Sequence, residues 1–335
     1  MLRFKITIAG AGILGLWQAL ALARRGHEVR VLETTAVPFA ATASRYAGAM
    51  IAPWCEGEAA PPLVRDHGIE AARLWRGLDL GLVENGSLVV ASARDAGELT
   101  RFARMTTGHT MLDAGQIASL EPMLADRFAR ALHYPGEAHM TTPDTLARLV
   151  AVARASGAQF FFGAPFDPDA EAADGIVLDC RGMAARHTLK NLRGVRGERL
   201  IVRSSEVTLA RPVRLLHPRH PLYVVPWTEH RFLIGATVIE SEDTSAVTVR
   251  SALELLGLAY ALHPAFGEAE ILEMGAGIRP AFPDNVPRVI AEPGGRLYRV
   301  NGAFRHGFLL APILAEVVAG AIEGTQVSHP LLIRR

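Results

Sequence analysis

The chain has 335 residues, and its 35 Lys and Arg against 34 Asp and Glu leave a formal charge of +1, which gives no electrostatic case for nucleic acid. Its apolar runs are short and interrupted by charge, and its start does not have a signal-peptide layout, so no membrane span and a cytoplasmic location are expected. Two distant cysteines, Cys55 and Cys180, support neither a disulfide framework nor a zinc site, and no metal ligand set is predicted.

The chain opens on a nucleotide-binding pattern. Phe4 to Ala9 reads as a short buried strand, and Ile13 to Arg25 as a helix with Leu16, Leu20 and Ala23 at helical spacing, closed by Gly26. Between them, Gly10-Ala11-Gly12-Ile13-Leu14-Gly15 supplies the glycines for a tight turn, for close approach of a pyrophosphate and for helix packing. A bound anion would then sit at the positive end of the helix dipole. A second strand, Glu28 to Leu32, ends at Glu33, 18 residues beyond Gly15, where a ribose-binding carboxylate is expected about 20 residues on. Such an acid disfavours a 2'-phosphate. The cradle alone leaves a nicotinamide dehydrogenase open.

Thr42 to Pro53 is a small-residue loop that could lie flat on a planar ring or merely connect elements. A helix is predicted over Pro61 to Leu80, and a strand over Gly86 to Val90 in a different unit. Thr142 as cap with Pro143 in the first turn predicts a helix to about Ser156, and Gln159–Phe162 and Ile176–Asp179 return as strands of the first unit. Strands at Arg199–Val202, Leu222–Val225 and Phe232–Thr237 follow, the last two forming a hairpin across Trp227–His230. Ser245 to Leu262 reads as an amphipathic helix with Val249, Leu253, Leu256 and Tyr260 on one side. Leu297–Val300 and a helix from Pro312 to Ile322 bring the chain back. The expected class is α/β, α+β overall: a Rossmann-type domain of residues 1–80, 140–198 and 275–335, interleaved with an antiparallel-sheet substrate domain of residues 81–139 and 199–274.

Several stretches carry a family resemblance, in order along nearly the whole chain: Gly10–Gly15 with Glu33; Ala47 to Pro53; Val195-Arg196-Gly197-Glu198; Leu222 to Pro226 with Gly235-Ala236-Thr237; Ala276 to Pro280 with Asp284 and Pro287; and Gly302 through Pro312. Together they resemble the D-amino-acid oxidase superfamily of FAD-dependent amine oxidases, and within it the glycine oxidases of bacterial thiamine biosynthesis. The resemblance implies FAD, held noncovalently because no cysteine lies in the C-terminal flavin loop.

It also implies residue roles. Arg279 would bind a substrate carboxylate through its planar fork. Tyr223 would line the pocket, the alternative being a core tyrosine, and Arg305 would touch substrate or flavin, the alternative being a structural ion pair. Cofactor contacts would come from Gly10, Gly12, Ile13, Leu14, Gly15, Glu33 and Thr34, and from Thr42, Ala43, Ser44, Gly48, Ala49 and Met50 in the small-residue loop. Phe166 and Gly182 would add to them. So would Gly302, Ala303, Phe304, Arg305, His306, Gly307, Phe308 and Leu309, with His306 as a backbone spacer and the helix opening at Pro312 aimed at the flavin. Ala303 and His306 stand where the family often has His and Asn, and Cys180-Arg181-Gly182 replaces its usual small-residue motif.

The implied chemistry is hydride transfer from Cα of glycine, or another small amine or D-amino acid, to flavin N5. O2 would reoxidise the flavin to give H2O2, and the imine would hydrolyse or pass to thiazole synthase. A homo-oligomer is compatible with this. The rival readings are a dehydrogenase of the same superfamily serving a quinone or protein acceptor, and an FAD-carrying scaffold without activity.

Overall fold

The computed structural model describes residues 3–171 and 175–335, and among them two large sheets organise an α/β protein. The first has seven strands in the order 332–334, 288–291, 297–301, 176–179, 5–9, 28–33 and 159–162. Its central pairings are parallel, and 288–291 with 297–301 is antiparallel. Ile6, Ile8, Val29, Val31 and Leu178 from this sheet share one core with the helices Ile13–Arg24, Pro62–Arg76, Thr142–Ala155 and Gly307–Glu323.

The second sheet has eight strands in the order 270–281, 193–203, 231–235, 222–226, 213–216, 87–91, 130–134 and 110–113, antiparallel except where 213–216 runs alongside 87–91. Alternation along its strands sorts side chains to two faces. Leu200, Val202, Leu222, Val224, Phe232 and Ile234 pack under the helix Val249–Leu262. Ile201, Val225 and Leu233 turn the other way, with Tyr223, toward Met50. Tyr223 thus faces the small-residue loop because its neighbours Leu222 and Val224 are committed to the opposite core.

Three expected elements differ. The helix expected from Ser245 starts at Val249, capped by Thr248, whose hydroxyl accepts from Ser251 N. It buries Ser251, Leu255, Ala259 and Leu262, leaving Val249 at 77%, Leu253 at 66% and Tyr260 at 57% exposure. A helix this rich in Leu and Ala carries two apolar faces, and the one with the smaller residues lies closest to the sheet. Thr142 is inside its helix rather than capping it; Thr141 holds the cap position, and the Thr142 hydroxyl instead donates to the Ala47 carbonyl. The C-terminal helix begins at Gly307, not Pro312.

A proline inside a helix leaves the carbonyl four residues back without its usual donor. Here that carbonyl is Phe308, and the indole Nε1 of the fully buried Trp75 donates to it at 2.8 Å. The helix therefore passes through Pro312 and keeps its first turn at Gly307. Among the described residues, no helix is long and apolar enough to cross a membrane.

Candidate active site

The glycine cradle is built as its spacing requires. Gly10 has φ +97°, and a Cβ there would fall 2.8 Å from the Cys180 carbonyl oxygen; one on Gly15 would fall 2.0 Å from the Gly10 carbonyl. Gly12 ends the turn as the helix cap, with no side chain of its own to close it. Ser44 reaches across instead, its Oγ accepting from Ile13 N at 3.0 Å, and is itself held by Ser44 N donating to Thr42 Oγ1. Ala43 opens the short 3-10 turn that carries Ser44. Glu33 Oε2 accepts from Ala11 N at 2.9 Å, and Oε1 from Thr35 N and Oγ1, so the carboxylate stands at the cradle's mouth. Thr34 is exposed beside it, and Phe166 is buried against Ala9 and Val177.

These parts fit a dinucleotide: a turn only glycine can make, helix amides behind it, and a carboxylate with lone pairs to spare. The C-terminal loop is brought to the same place. Gly307 faces the Ile13 side chain, where a Cβ would fall 3.3 Å from Cγ2. Gly302 has φ +78° and its Cα sits against the Phe282 ring, and Phe304, at φ +45°, donates its N–H to the Pro280 carbonyl. Ala303 bridges Ala281. The loop is thereby laced to the strand that bears Arg279. A Cβ on Gly182, at φ +58°, would fall 3.8 Å from the Pro280 ring, and the Gly182 carbonyl accepts from Asn301 Nδ2.

Arg279 projects from the edge strand Glu270–Ala281 and lies flat over Gly197 of the neighbouring strand. It is half-buried, and its Nη1 donates to the Thr237 carbonyl at 3.0 Å. Burial lowers its pKa, Tyr223 opposes that, and the like charge of Arg305 adds to the lowering, so the three sequence-predicted residues converge. The Tyr223 ring is wedged between Gly48 and Gly235, where added Cβ atoms would meet it at 3.0 and 3.1 Å. Ala49, at φ +47°, carries the loop on to Met50, which packs against the same Ile201, Val225 and Leu233 cluster as Tyr223 and pairs with His139.

Other expected contacts are placed differently. The Phe308 ring stacks on Trp75, and Leu309 packs on Gly68 and Pro53, so the side chains of both face the core and leave only backbone groups toward a ligand. Leu14 is buried in the helix core. His306 is more than a spacer: it caps the helix at Gly307, and its imidazole is 3% exposed, with Nδ1 3.3 Å from Glu56 Oε2. Glu56 and the buried Arg214 behind it were missed, because their partners are far away in sequence and neither forms a local motif.

The family model for FAD-dependent oxidoreductases of the DAO type matches residues 5–321. The chain belongs to that family. FAD is accordingly its cofactor. Within the family it is 50% identical, over 94% of its length and 95% of the relative's, to a Rhizobium etli protein assigned to thiamine biosynthesis as the oxidoreductase ThiO. A crystal structure of glycine oxidase from Geobacillus kaustophilus is similar at TM-score 0.79 and 26% identity, covering 99% of this chain and 97% of that one. The bifunctional protein ThiO/ThiG of Synechocystis is 26% identical over 98% of this chain and 52% of its own length.

Proposed function

We propose that the chain is an oxidase of glycine or another small amine or D-amino acid, with FAD held noncovalently and O2 as the electron acceptor. The observation that carries the reading is Arg279: a half-buried guanidinium with a carbonyl and a tyrosine as its partners and, among the described residues, no carboxylate acting on it. Such a group calls for an anion from outside. Bound FAD supplies the two-electron acceptor that substrate oxidation needs.

The chain's residues do the positioning. Arg279 takes the carboxylate on the face left free by Thr237, and Tyr223, fixed between two glycines, offers its hydroxyl to the carboxylate or amine. The laced 302–307 loop and the Gly48–Met50 loop enclose the Cα, and a substrate with a neutral amine needs no side-chain base. The likeness to proteins named for thiamine biosynthesis, one of them a ThiO/ThiG fusion, supports delivery of the imine to thiazole assembly in the cytoplasm. The interleaved division into a flavin domain and a substrate domain is proposed on the two sheets, and oligomeric association is compatible with it.

The test is Arg279→Ala. Truncating one partner of a desolvated ion pair costs about 3 to 5 kcal/mol, so kcat/KM for glycine should fall by about a hundredfold or more in a yellow, folded protein. Arg279→Lys should rescue only in part. Equal losses for glycine and for an amine without a carboxylate would make Arg279 structural.

A further inference from the structure

The 3-10 turn Ala43–Tyr46 works at both of its ends. Near its start it closes the cofactor cradle, where Ser44 Oγ accepts from Ile13 N at 3.0 Å. At its other end the Tyr46 ring lies on the edge strand Glu270–Ala281: a Cβ on Gly275 would fall 2.6 Å from Cε1, and one on Gly277 2.7 Å from Cδ2. Neither glycine has a positive φ, so the ring, not the backbone conformation, excludes a side chain at both positions. Two residues further on, Gly48 abuts the Tyr223 ring.

The ring is held against the strand by charge as well as by shape. Gly275 pairs with Arg199, whose guanidinium carbon is 5.1 Å from the Tyr46 ring centroid, within cation–π range. Arg199 is 2% exposed, and its Nε and Nη1 have no hydrogen-bond partner among the described residues, so the aromatic ring covers a buried cation. Its Nη2 donates to Glu273 Oε1 at 3.0 Å, and Arg45 Nη2, from the turn itself, donates to the same oxygen at 3.3 Å. Turn and strand are thus joined twice, by a ring seated on glycines and by a carboxylate shared between two arginines.

Gly275, Gly277 and Arg279 alternate onto one face of their strand. Gly277 stands directly opposite Gly197, the glycine over which the Arg279 guanidinium lies. The Tyr46 ring and the Arg279 guanidinium therefore cover the two facing glycines of a single rung.

We propose that Tyr46 is a positioning residue that couples the cofactor cradle to the carboxylate seat: anchored beside Ser44 and wedged on Gly275 and Gly277, its ring transmits a displacement at either end to the other. For the carboxylate end, the proposal rests on the amino-acid-oxidase reading of Arg279. Tyr46 acts through the turn and the strand, and the contacts are made by its ring rather than by its hydroxyl.

The test is a double-mutant cycle read as the rate of FAD release from the FAD-loaded protein, followed by the fluorescence of freed flavin. Gly277→Ala overpacks the ring and should speed release about tenfold, although it lies on the substrate sheet. In a Tyr46→Ala background the same change should alter release by less than about twofold, because nothing is left to push. Tyr46→Phe should keep the wild-type rate and the full penalty of Gly277→Ala. At the other end, calorimetry with methoxyacetate, an unreactive carboxylate, should show about tenfold weaker binding to FAD-loaded Tyr46→Ala and unchanged binding to Tyr46→Phe. Unchanged release from Gly277→Ala, a penalty that persists without the ring, or unchanged methoxyacetate affinity in Tyr46→Ala would each overturn the proposal. Should Gly277→Ala fail to fold, Gly275→Ala overpacks the same ring and carries the same expectations, and Tyr46→Ala decides the carboxylate end by itself. Flavin release is read without turnover, so a wild-type protein that shows this pattern but is not reduced by glycine would refute the oxidase reading alone.

Discussion

Replacing Gly197 with Ala should disable substrate binding while sparing the cofactor. Gly197 stands opposite Gly277 in the long strand pair, and a Cβ built on it falls 2.0 Å from Arg279 Nη2 and 2.1 Å from Cζ. Ordinary contact begins at 3.4 Å, so the guanidinium must withdraw by more than an ångström. Its flexible side chain can do so without disturbing the sheet, and the position has no positive φ to strain an alanine. Misplacement of a substrate-positioning group by about 1 Å costs about a hundredfold in rate, equivalent to about 2.7 kcal/mol. The assay is kcat/KM for glycine and for a similar amine lacking the carboxylate, alongside FAD stoichiometry and Tm. Glycine should lose about a hundredfold, the carboxylate-free amine much less, and FAD content should not change. A variant with wild-type kcat/KM for glycine would show that Arg279 need not lie over Gly197 during turnover.

Three further outcomes are expected. Glu33→Ala should weaken FAD retention by about ten- to hundredfold, from charge-assisted bonds worth about 1.5 to 3 kcal/mol each; full occupancy after exhaustive dialysis would remove Glu33 from the ribose. Tyr223→Phe should keep fold and FAD and raise KM modestly, since one hydroxyl is worth about 0.5 to 1.5 kcal/mol; unfolding, or unchanged kinetics on every substrate, would make it a core residue. His139 is buried beside Met50, and burial depresses its pKa to about 4 from 6.5. Its neutral form is therefore the native one, and its contribution is intact above pH 6.5 and lost as pH falls toward 4, amounting to about 2 kcal/mol between pH 7 and 5. His139→Gln should flatten that part of the Tm-against-pH curve, and an unchanged slope would refute the assignment.

What could be read from the residues follows from how local the determinants are. The strand, turn and helix around Gly10 to Gly15 are set by neighbours in sequence, and so is the hairpin over Leu222–Gly235. Arg279, Tyr223 and Arg305 were found only because the family pattern marks them; their convergence depends on pairing between strands far apart in the chain. The start of the last helix was misplaced because Pro312 normally opens a helix, and its tolerance inside one depends on Trp75, more than two hundred residues away. Val249, Leu253 and Tyr260 show the limit of periodicity, which finds an apolar stripe but not which of two stripes meets the sheet. Glu56 carried no signal at all, since a short helix beside a loop does not announce the distant His306 and Arg214.

The strand order of the first sheet has a consequence for how the protein is made. Its middle strand pair, 5–9 with 176–179, is flanked on one side by 297–301, and 288–291 and 332–334 lie beyond it. A nascent chain emerging from the ribosome therefore has only four of the seven strands until residues 288–334 appear, and Trp75 meanwhile lacks the Phe308 carbonyl that its indole will serve. The cofactor pocket, which needs Gly307 against Ile13, cannot close before that stretch has emerged. Removing residues 288–334 should thus act on the assembly of the whole flavin site, and FAD added during translation has nothing complete to bind until that stretch has emerged.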